Sequence, residues 1–285
     1  MESKIILGLK KIAKPIELFL KEIIRKLFKN GCLKRTIKKG DFYNIPIYII
    51  SYNRLEYLKQ TITWLEEYGY KNIIVIDNKS DYEPLLTYYK SLNHKVVYMK
   101  KNYGYLVFYK SLRFFFARNF HFYVLTDPDL TPIKECRSDF VEVFLRVMQH
   151  HQELTKVGFS LKIDDLPDDY YLKDQVIKWE KQFYENPKEE VYLPGVDLYK
   201  AEIDTTFAVN SPHVFVAHAN KRLAIRVGEP YQMRHLPWYI VTKDDETTNY
   251  CKTIRTDMTN WNGNFSVEEI NERNQKAMEK NKENK

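Results

Sequence analysis

Glycine is scarce in this chain, with nine among 285 residues. Neither Gly-x-x-x-x-Gly-Lys-Ser/Thr nor Gly-x-Gly-x-x-Gly occurs. That excludes a glycine loop as the phosphate cradle, and with it the P-loop and the dinucleotide fingerprint. Cysteine is scarcer still. Cys32, Cys136 and Cys251 are odd in number, far apart and without zinc or disulfide spacing, which points to ordinary packing or free thiols in a reducing compartment. No apolar run reaches the roughly 18 residues needed to span a bilayer, and no uninterrupted apolar stretch with a small-residue cleavage site opens the sequence. A cytoplasmic location is therefore expected.

Basic charge is also missing from most of the chain, despite a formal +7. Residues 1–40 hold 12 Lys and Arg against 3 Asp and Glu, leaving 33 basic and 35 acidic side chains for the rest. A nucleic-acid binder needs a positive stripe on its folded body, so that class is disfavoured. The basic segment is amphipathic. Ile5, Leu9, Ile12, Ile16, Leu20, Ile23 and Leu27 recur at helical spacing among lysines and arginines, with Pro15 as a candidate kink. Such a helix can lie in an anionic membrane interface, pack on the body, or pair with a second copy.

The 44% of hydrophobic residues suffices for a large core. From Ile45 onward the pattern alternates between short apolar runs and helical periods. Strands are expected at 45–51, 72–77, 95–99 and 120–126, with helices at 55–65, 81–92 and 105–118. Asn53 is a candidate N-cap and Gly69 a candidate stop for the first of these helices. Alternation of this kind implies right-handed crossovers and an α/β fold with a mainly parallel central sheet. Later elements are a helix at 139–153, a strand at 157–163, a helix at 170–185, and short strand-like pieces at 191–197, 205–209 and 222–227. A polar tail runs over 266–285.

The candidate chemistry sits where the run Phe120 to Thr126 stops at Asp127, Pro128 and Asp129. Proline ends the ladder as two carboxylates appear, and in open α/β sheets ligands collect at the carboxyl ends of strands. An Asp-Pro-Asp sequence can be a plain polar turn. Two carboxylates two residues apart can also hold Mg²⁺ or Mn²⁺, with a histidine ligand tilting the choice to Mn²⁺. The expected guest is a metal diphosphate.

Four stretches, in order over residues 45–132, resemble the GT-A fold nucleotide-sugar glycosyltransferases, closest to glycosyltransferase family 2. They are Ile49-Ile-Ser-Tyr-Asn-Arg54, Val75-Ile-Asp-Asn-Lys-Ser-Asp81, Asn102-Tyr-Gly104 and Thr126-Asp-Pro-Asp129. The last is similar to the family's Asp-x-Asp motif. The resemblance implies a domain over 41–265, with a nucleotide-binding half at about 41–135 and an acceptor half at about 136–265. It implies nucleotide-sugar contacts from Tyr52, Asn53, Asp77, Asn102 and Asp127. The metal, Mn²⁺ or Mg²⁺, falls to Asp127, Asp129 and, as the family's late histidine, His235. A catalytic acidic motif is matched by Glu202 and Asp204, with Asp197 an alternative base. The sequence departs from the commonest pattern at Asn78, where many relatives carry a second acid, and has no Glu-Asp pair. The implied activity is sugar transfer from a nucleotide-diphosphate donor, with a UDP-sugar expected, to a hydroxyl of a glycan or lipid-linked glycan in polysaccharide or glycoconjugate synthesis. The enzyme would be cytoplasmic, peripheral at the inner face of a membrane if residues 1–40 bind lipid. The alternatives are a sugar-nucleotide pyrophosphorylase, against which the missing glycine-rich loop counts, and a non-catalytic nucleotide- or glycan-binding module.

Overall fold

Residues 2–170, 172–203, 206–212, 223–239 and 250 are described by a computed structural model, with side chains from residue 16 onward apart from residue 18. The helices are α1 (Glu2–Lys39), α2 (Leu55–Glu67), α3 (Glu83–Ser91), α4 (Val107–Lys110), α5 (Phe115–Phe120), α6 (Phe140–His150) and α7 (Lys173–Glu180). The strands are β1 (Ile47–Ser51), β2 (Ile73–Asp77), β3 (Lys95–Tyr98), β4 (Tyr123–Thr126), β5 (Leu130–Pro132), β6 (Lys156–Leu161), β7 (Lys188–Glu190), β8 (Leu193–Tyr199), β9 (Ala208–Asn210) and β10 (Ala224–His235).

The ten strands among the described residues join one sheet in the order β3-β2-β1-β4-β9-β6-β10-β8-β7, with β5 pairing β10 off this path. The half formed by β3, β2, β1 and β4 is parallel, as expected. The whole sheet is mixed, because β9 runs antiparallel between β4 and β6, and β5 and β8 run against β10. The approach of β6 to β9 depends on Gly158, where a Cβ would lie 2.5 Å from the Phe207 carbonyl oxygen.

Side chains alternate across the sheet as the strand period demands. Ile47, Ile49, Ile73, Val75 and Val124 enter the large core beneath α2, α3 and α6. Ile50, Ile76, Tyr123 and Leu125 enter a smaller core on the other face, beneath α4 and α5. The smaller core holds an aromatic cluster, with Phe108 stacked on Phe114 at 4.9 Å and against Tyr123 at 4.8 Å.

The single helix expected over 105–118 is broken. Ser111 adopts an extended conformation and its Oγ accepts from Arg113 N at 3.3 Å, while Arg118 Nη1 donates to the Phe108 and Ser111 carbonyls. Phe108 and Phe114 both turn into the core as a result. The strand expected over 222–227 extends to His235 instead, through a register shift between Val227 and Gln232 that carries Gly228 and Pro230.

The first helix continues through Pro15 to Lys39 and docks on the body with an unexpected face. Lys29 is fully buried, donating to the Gln152 carbonyl at 2.6 Å and the Leu154 carbonyl at 2.5 Å. Arg25, Cys32 and Leu33 are buried beside it. Burial pushes the Lys29 ammonium down to about 8.

Candidate functional site

The strands β1, β2, β4, β6 and β10 all point one way, so their carboxyl ends share one edge of the sheet. Ser51 pairs with Asp77 across β1 and β2, and Ile49 pairs with Thr126 across β1 and β4. The turns that follow therefore converge: Tyr52 to Arg54, Asn78 to Asp81, and Asp127 to Asp129. Residues 206 and 207 precede β9, which runs antiparallel to β4, so they approach from the same edge.

The Asp-Pro-Asp turn is fastened from beneath by α2. Thr61 Oγ1 donates to the Pro128 carbonyl at 2.6 Å and reaches the Leu130 carbonyl at 3.3 Å. Trp64 Nε1 donates to the same Leu130 carbonyl at 3.2 Å. Both side chains are buried. They satisfy turn carbonyls that would otherwise lose water without replacement.

From the turn the chain enters β5, which pairs antiparallel with the end of β10: His235 lies opposite Leu130, Arg234 opposite Thr131 and Met233 opposite Pro132. The Asp129 carbonyl accepts from Leu236 N at 2.8 Å. This pairing brings His235 Nε2 to 3.5 Å from Asp129 Oδ2. On another side Arg54 Nη1 lies 3.5 Å from the same oxygen. The Arg54 guanidinium is itself held between the Tyr57 ring at 4.7 Å and the Tyr250 ring at 3.7 Å. Burial raises the Asp129 carboxyl, but the charge and hydrogen bond of His235 and the charge of Arg54 outweigh it and hold the group below its usual range.

His235 packs edge-on against Trp238 at 4.7 Å, and its buried Nδ1 has no hydrogen-bond partner among the described residues. Asp127 is half-buried at the mouth of the turn. Among the described residues no group of three or more His, Cys, Asp or Glu side chains forms a complete metal site. Asp129 and His235 offer oxygen and nitrogen donors side by side, while Arg54 occupies the position of a countercharge. Such a partial donor set fits a cation that completes its shell with substrate phosphate oxygens better than a closed structural cage.

The neighbouring turns are built by asparagines. Asn53 takes a left-handed backbone (φ 51°) and is fully buried. It does not cap α2, whose N-cap position belongs to Arg54. Its Oδ1 accepts from Asp81 N at 3.0 Å and Tyr82 N at 3.1 Å, and its Nδ2 donates to Asp81 Oδ1 at 2.6 Å. The helix start it serves is therefore that of α3.

Asn78 is equally committed. Its Nδ2 donates to Asn102 Oδ1 at 2.8 Å and the Gly104 carbonyl at 3.1 Å, and its Oδ1 accepts from Tyr103 N at 2.9 Å. An aspartate could not make the first two of these bonds, which accounts for the amide at this position. Asn102 Oδ1 also accepts from Gly104 N at 2.7 Å, closing a turn in which Gly104 has φ 61°. Asp77 is almost fully buried, and its Oδ1 accepts from Ser80 N at 3.1 Å and from Tyr89 OH at 3.4 Å. Tyr52 remains half-exposed beside these turns.

Among the acidic-motif residues, Glu202 is exposed and its carbonyl accepts from Arg226 Nε at 2.8 Å. Asp204 lies outside the described residues. Asp197 sits on β8 and accepts from Tyr199 OH at 3.2 Å, away from the Asp-Pro-Asp turn. Arg226 is buried against Glu180 at 2.6 Å, and Arg234 pairs with Asp165 at 2.7 Å, so both are engaged within the fold.

Sequence reasoning gave no role to Arg54, Thr61 or Trp64. Arg54 was visible as a basic residue at the end of the first strand's turn, whereas Thr61 and Trp64 fall within the helix expected at 55–65 with nothing local to mark them. Neither a protein-family model nor a curated protein sequence matches this chain.

Proposed function

We propose that the chain is a metal-dependent glycosyltransferase of GT-A type, moving a sugar from a nucleotide diphosphate, with a UDP-sugar as the expected donor, to a hydroxyl of a glycan or lipid-linked glycan. The observation that carries this reading is the convergence on Asp129. A carboxylate at the end of β4 is fastened by α2 and met by His235 from β10 and Arg54 from the β1 turn.

Asp129 and His235, with Asp127 beside them, would hold Mn²⁺ or Mg²⁺. The metal supplies Lewis-acid stabilisation of the charge that grows on the departing diphosphate. Arg54 then has a second use: once Asp129 turns to a cation, its guanidinium suits a phosphate oxygen, for which a planar fork of donors is well shaped. The half-exposed Tyr52 and the turns built on Asn53, Asp77 and Asn102 would shape the nucleoside cleft. Asn53 and Asp77 act in this account mainly by fixing the loops.

Transfer breaks the anomeric carbon–diphosphate bond and forms one to the acceptor oxygen, whose proton must leave. In an inverting reaction a carboxylate within hydrogen-bond reach takes it, and Asp204 or Glu202 would serve.

Incubating the protein with UDP-sugars and Mn²⁺, with and without oligosaccharide acceptors, and following UDP release tests the proposal. Release that depends on metal and rises with an acceptor is expected. Binding of nucleotide without turnover would favour the binding-module reading, and pyrophosphate-dependent formation of nucleoside triphosphate would favour the pyrophosphorylase.

A further inference from the structure

The face that α1 turns away from the body is apolar. Its docked side carries Arg25 and Lys29, whereas Ile16, Phe19, Leu20, Ile23, Ile24 and Leu27 recur along the opposite side and are all exposed, Leu27 by 69%. A helix packed for burial alone would be arranged the other way round. The apolar surface continues onto the body. Phe28 meets Phe120 edge-on at 6.0 Å, and Phe120 stacks with Phe116 at 6.0 Å. Phe116 is 72% exposed and the neighbouring Leu112 82%. Scattered apolar residues on a surface are ordinary, but a contiguous run from one helix onto another marks an interaction site.

We infer that α1 and the 112–120 segment together form a docking surface for an anionic lipid bilayer. Charge selects this occupant. Residues 1–40 carry a net +9, with Lys26, Lys34 and Arg35 exposed on the same helix, while the remaining residues are slightly acidic. A second copy would bring two such segments together, whereas anionic headgroups supply the countercharge and the acyl boundary takes the apolar side chains. No helix among the described residues is long and apolar enough to cross a membrane, so the surface lies on the bilayer.

The placement has a consequence for geometry. Lys29 is tied to the loop before β6 and Phe120 lies three residues before β4, so the part of the surface formed by α1 and Phe120 adjoins the amino ends of these strands. Asp129 and His235 lie at the carboxyl ends. A six-residue strand such as β6 spans roughly 20 Å. If the glycosyltransferase reading holds, on which this step alone rests, the acceptor hydroxyl is one that stands off the bilayer, as at the far end of a lipid-linked glycan.

Flotation of the full chain with phosphatidylcholine vesicles, with and without phosphatidylglycerol, tests the docking independently of any activity. Association with the anionic vesicles is expected, weakening as salt rises. The pairs Phe19→Ser/Leu27→Ser and Leu112→Ser/Phe116→Ser should each lower the bound fraction about tenfold or more, as should Lys26→Glu/Lys34→Glu, with circular dichroism unchanged. All of the apolar positions altered are exposed, so folding should survive. Absence of flotation, equal flotation with neutral vesicles, or apolar variants that bind as well as the parent would overturn the inference. So would light scattering that shows a dimer dissociated by Phe19→Ser/Leu27→Ser without vesicle binding by the parent.

Discussion

His235 Nε2 stands 3.5 Å from Asp129 Oδ2, although 105 positions separate the two residues in the chain. The register of β5 on β10 produces this contact, setting His235 against Leu130, the residue after Asp129. Two metal-compatible donors are thus fixed by backbone pairing.

The support beneath the turn should matter as much as the donors. Thr61→Val removes the hydroxyl bonded to the Pro128 carbonyl and leaves a buried acceptor unmet, at a cost of about 1–3 kcal/mol. Affinity for a metal–nucleotide complex should fall with it, and Thr61→Ser should restore both. Chemical denaturation alongside calorimetric titration of UDP with Mn²⁺ checks the pair. Lost stability with unchanged affinity would confine Thr61 to a folding role.

Asn53 joins the first two loops of the parallel half. Asn53→Ala loses three buried side-chain hydrogen bonds and forces a Cβ-bearing residue without local compensation into a left-handed backbone. A loss of about 3–4 kcal/mol is expected. Asn53→Gly keeps the backbone conformation and should recover about 1 kcal/mol of that, as measured by urea unfolding.

The buried pair of Arg226 and Glu180 gives a third expectation. Both side chains are nearly inaccessible, and Arg226 also lies over the Phe183 ring at 4.0 Å. Glu180→Gln should cost about 3–5 kcal/mol because it strands a buried guanidinium, whereas Glu180→Leu with Arg226→Met should cost much less. Urea unfolding of the single and double variants distinguishes these outcomes.

Lys29 predicts the pH dependence of α1 docking. Burial lowers its ammonium from 10.5 to about 8. Between those values the unfolded chain binds more protons than the folded one, so this group makes stability rise as pH increases from about 8 toward 10.5, by at most about 3 kcal/mol. Below about 8 the cost of the buried charge is present in full. Lys29→Met should flatten this part of the profile. A parent protein that loses stability relative to the variant across that window would contradict the assignment.

The parallel half was legible in the sequence because its signals are local. Ile45 to Ser51 and Asn72 to Asp77 are continuous apolar runs, each closed by polar turn residues, and the helices between them keep a 3.6-residue period. The carboxylates at the end of β4 were legible for the same reason. The link to His235 came from the family resemblance alone, because no local pattern carries it. Leu130-Thr-Pro132 is too short to show a period, and its partner lies beyond the register shift at Gly228 and Pro230, which breaks the strand pattern in the sequence. Asn53 was read as a local cap because its spacing to α2 suits one, whereas its bonds reach 28 and 29 residues ahead. The inward turn of Lys29 was hidden too, since a lysine among lysines gives no sign that two loop carbonyls await it.

The most direct test of the central claim is thermal stability with UDP, GDP, CDP and dTDP, each with Mn²⁺, Mg²⁺ or EDTA, for the parent protein and Asp129→Ala. At a ligand concentration about a hundredfold above its dissociation constant, stabilisation should reach roughly 2.7 kcal/mol. A metal-dependent rise is expected for one nucleotide, UDP, and should disappear in Asp129→Ala. No rise with any nucleotide, or an equal rise in EDTA and in the variant, would contradict it.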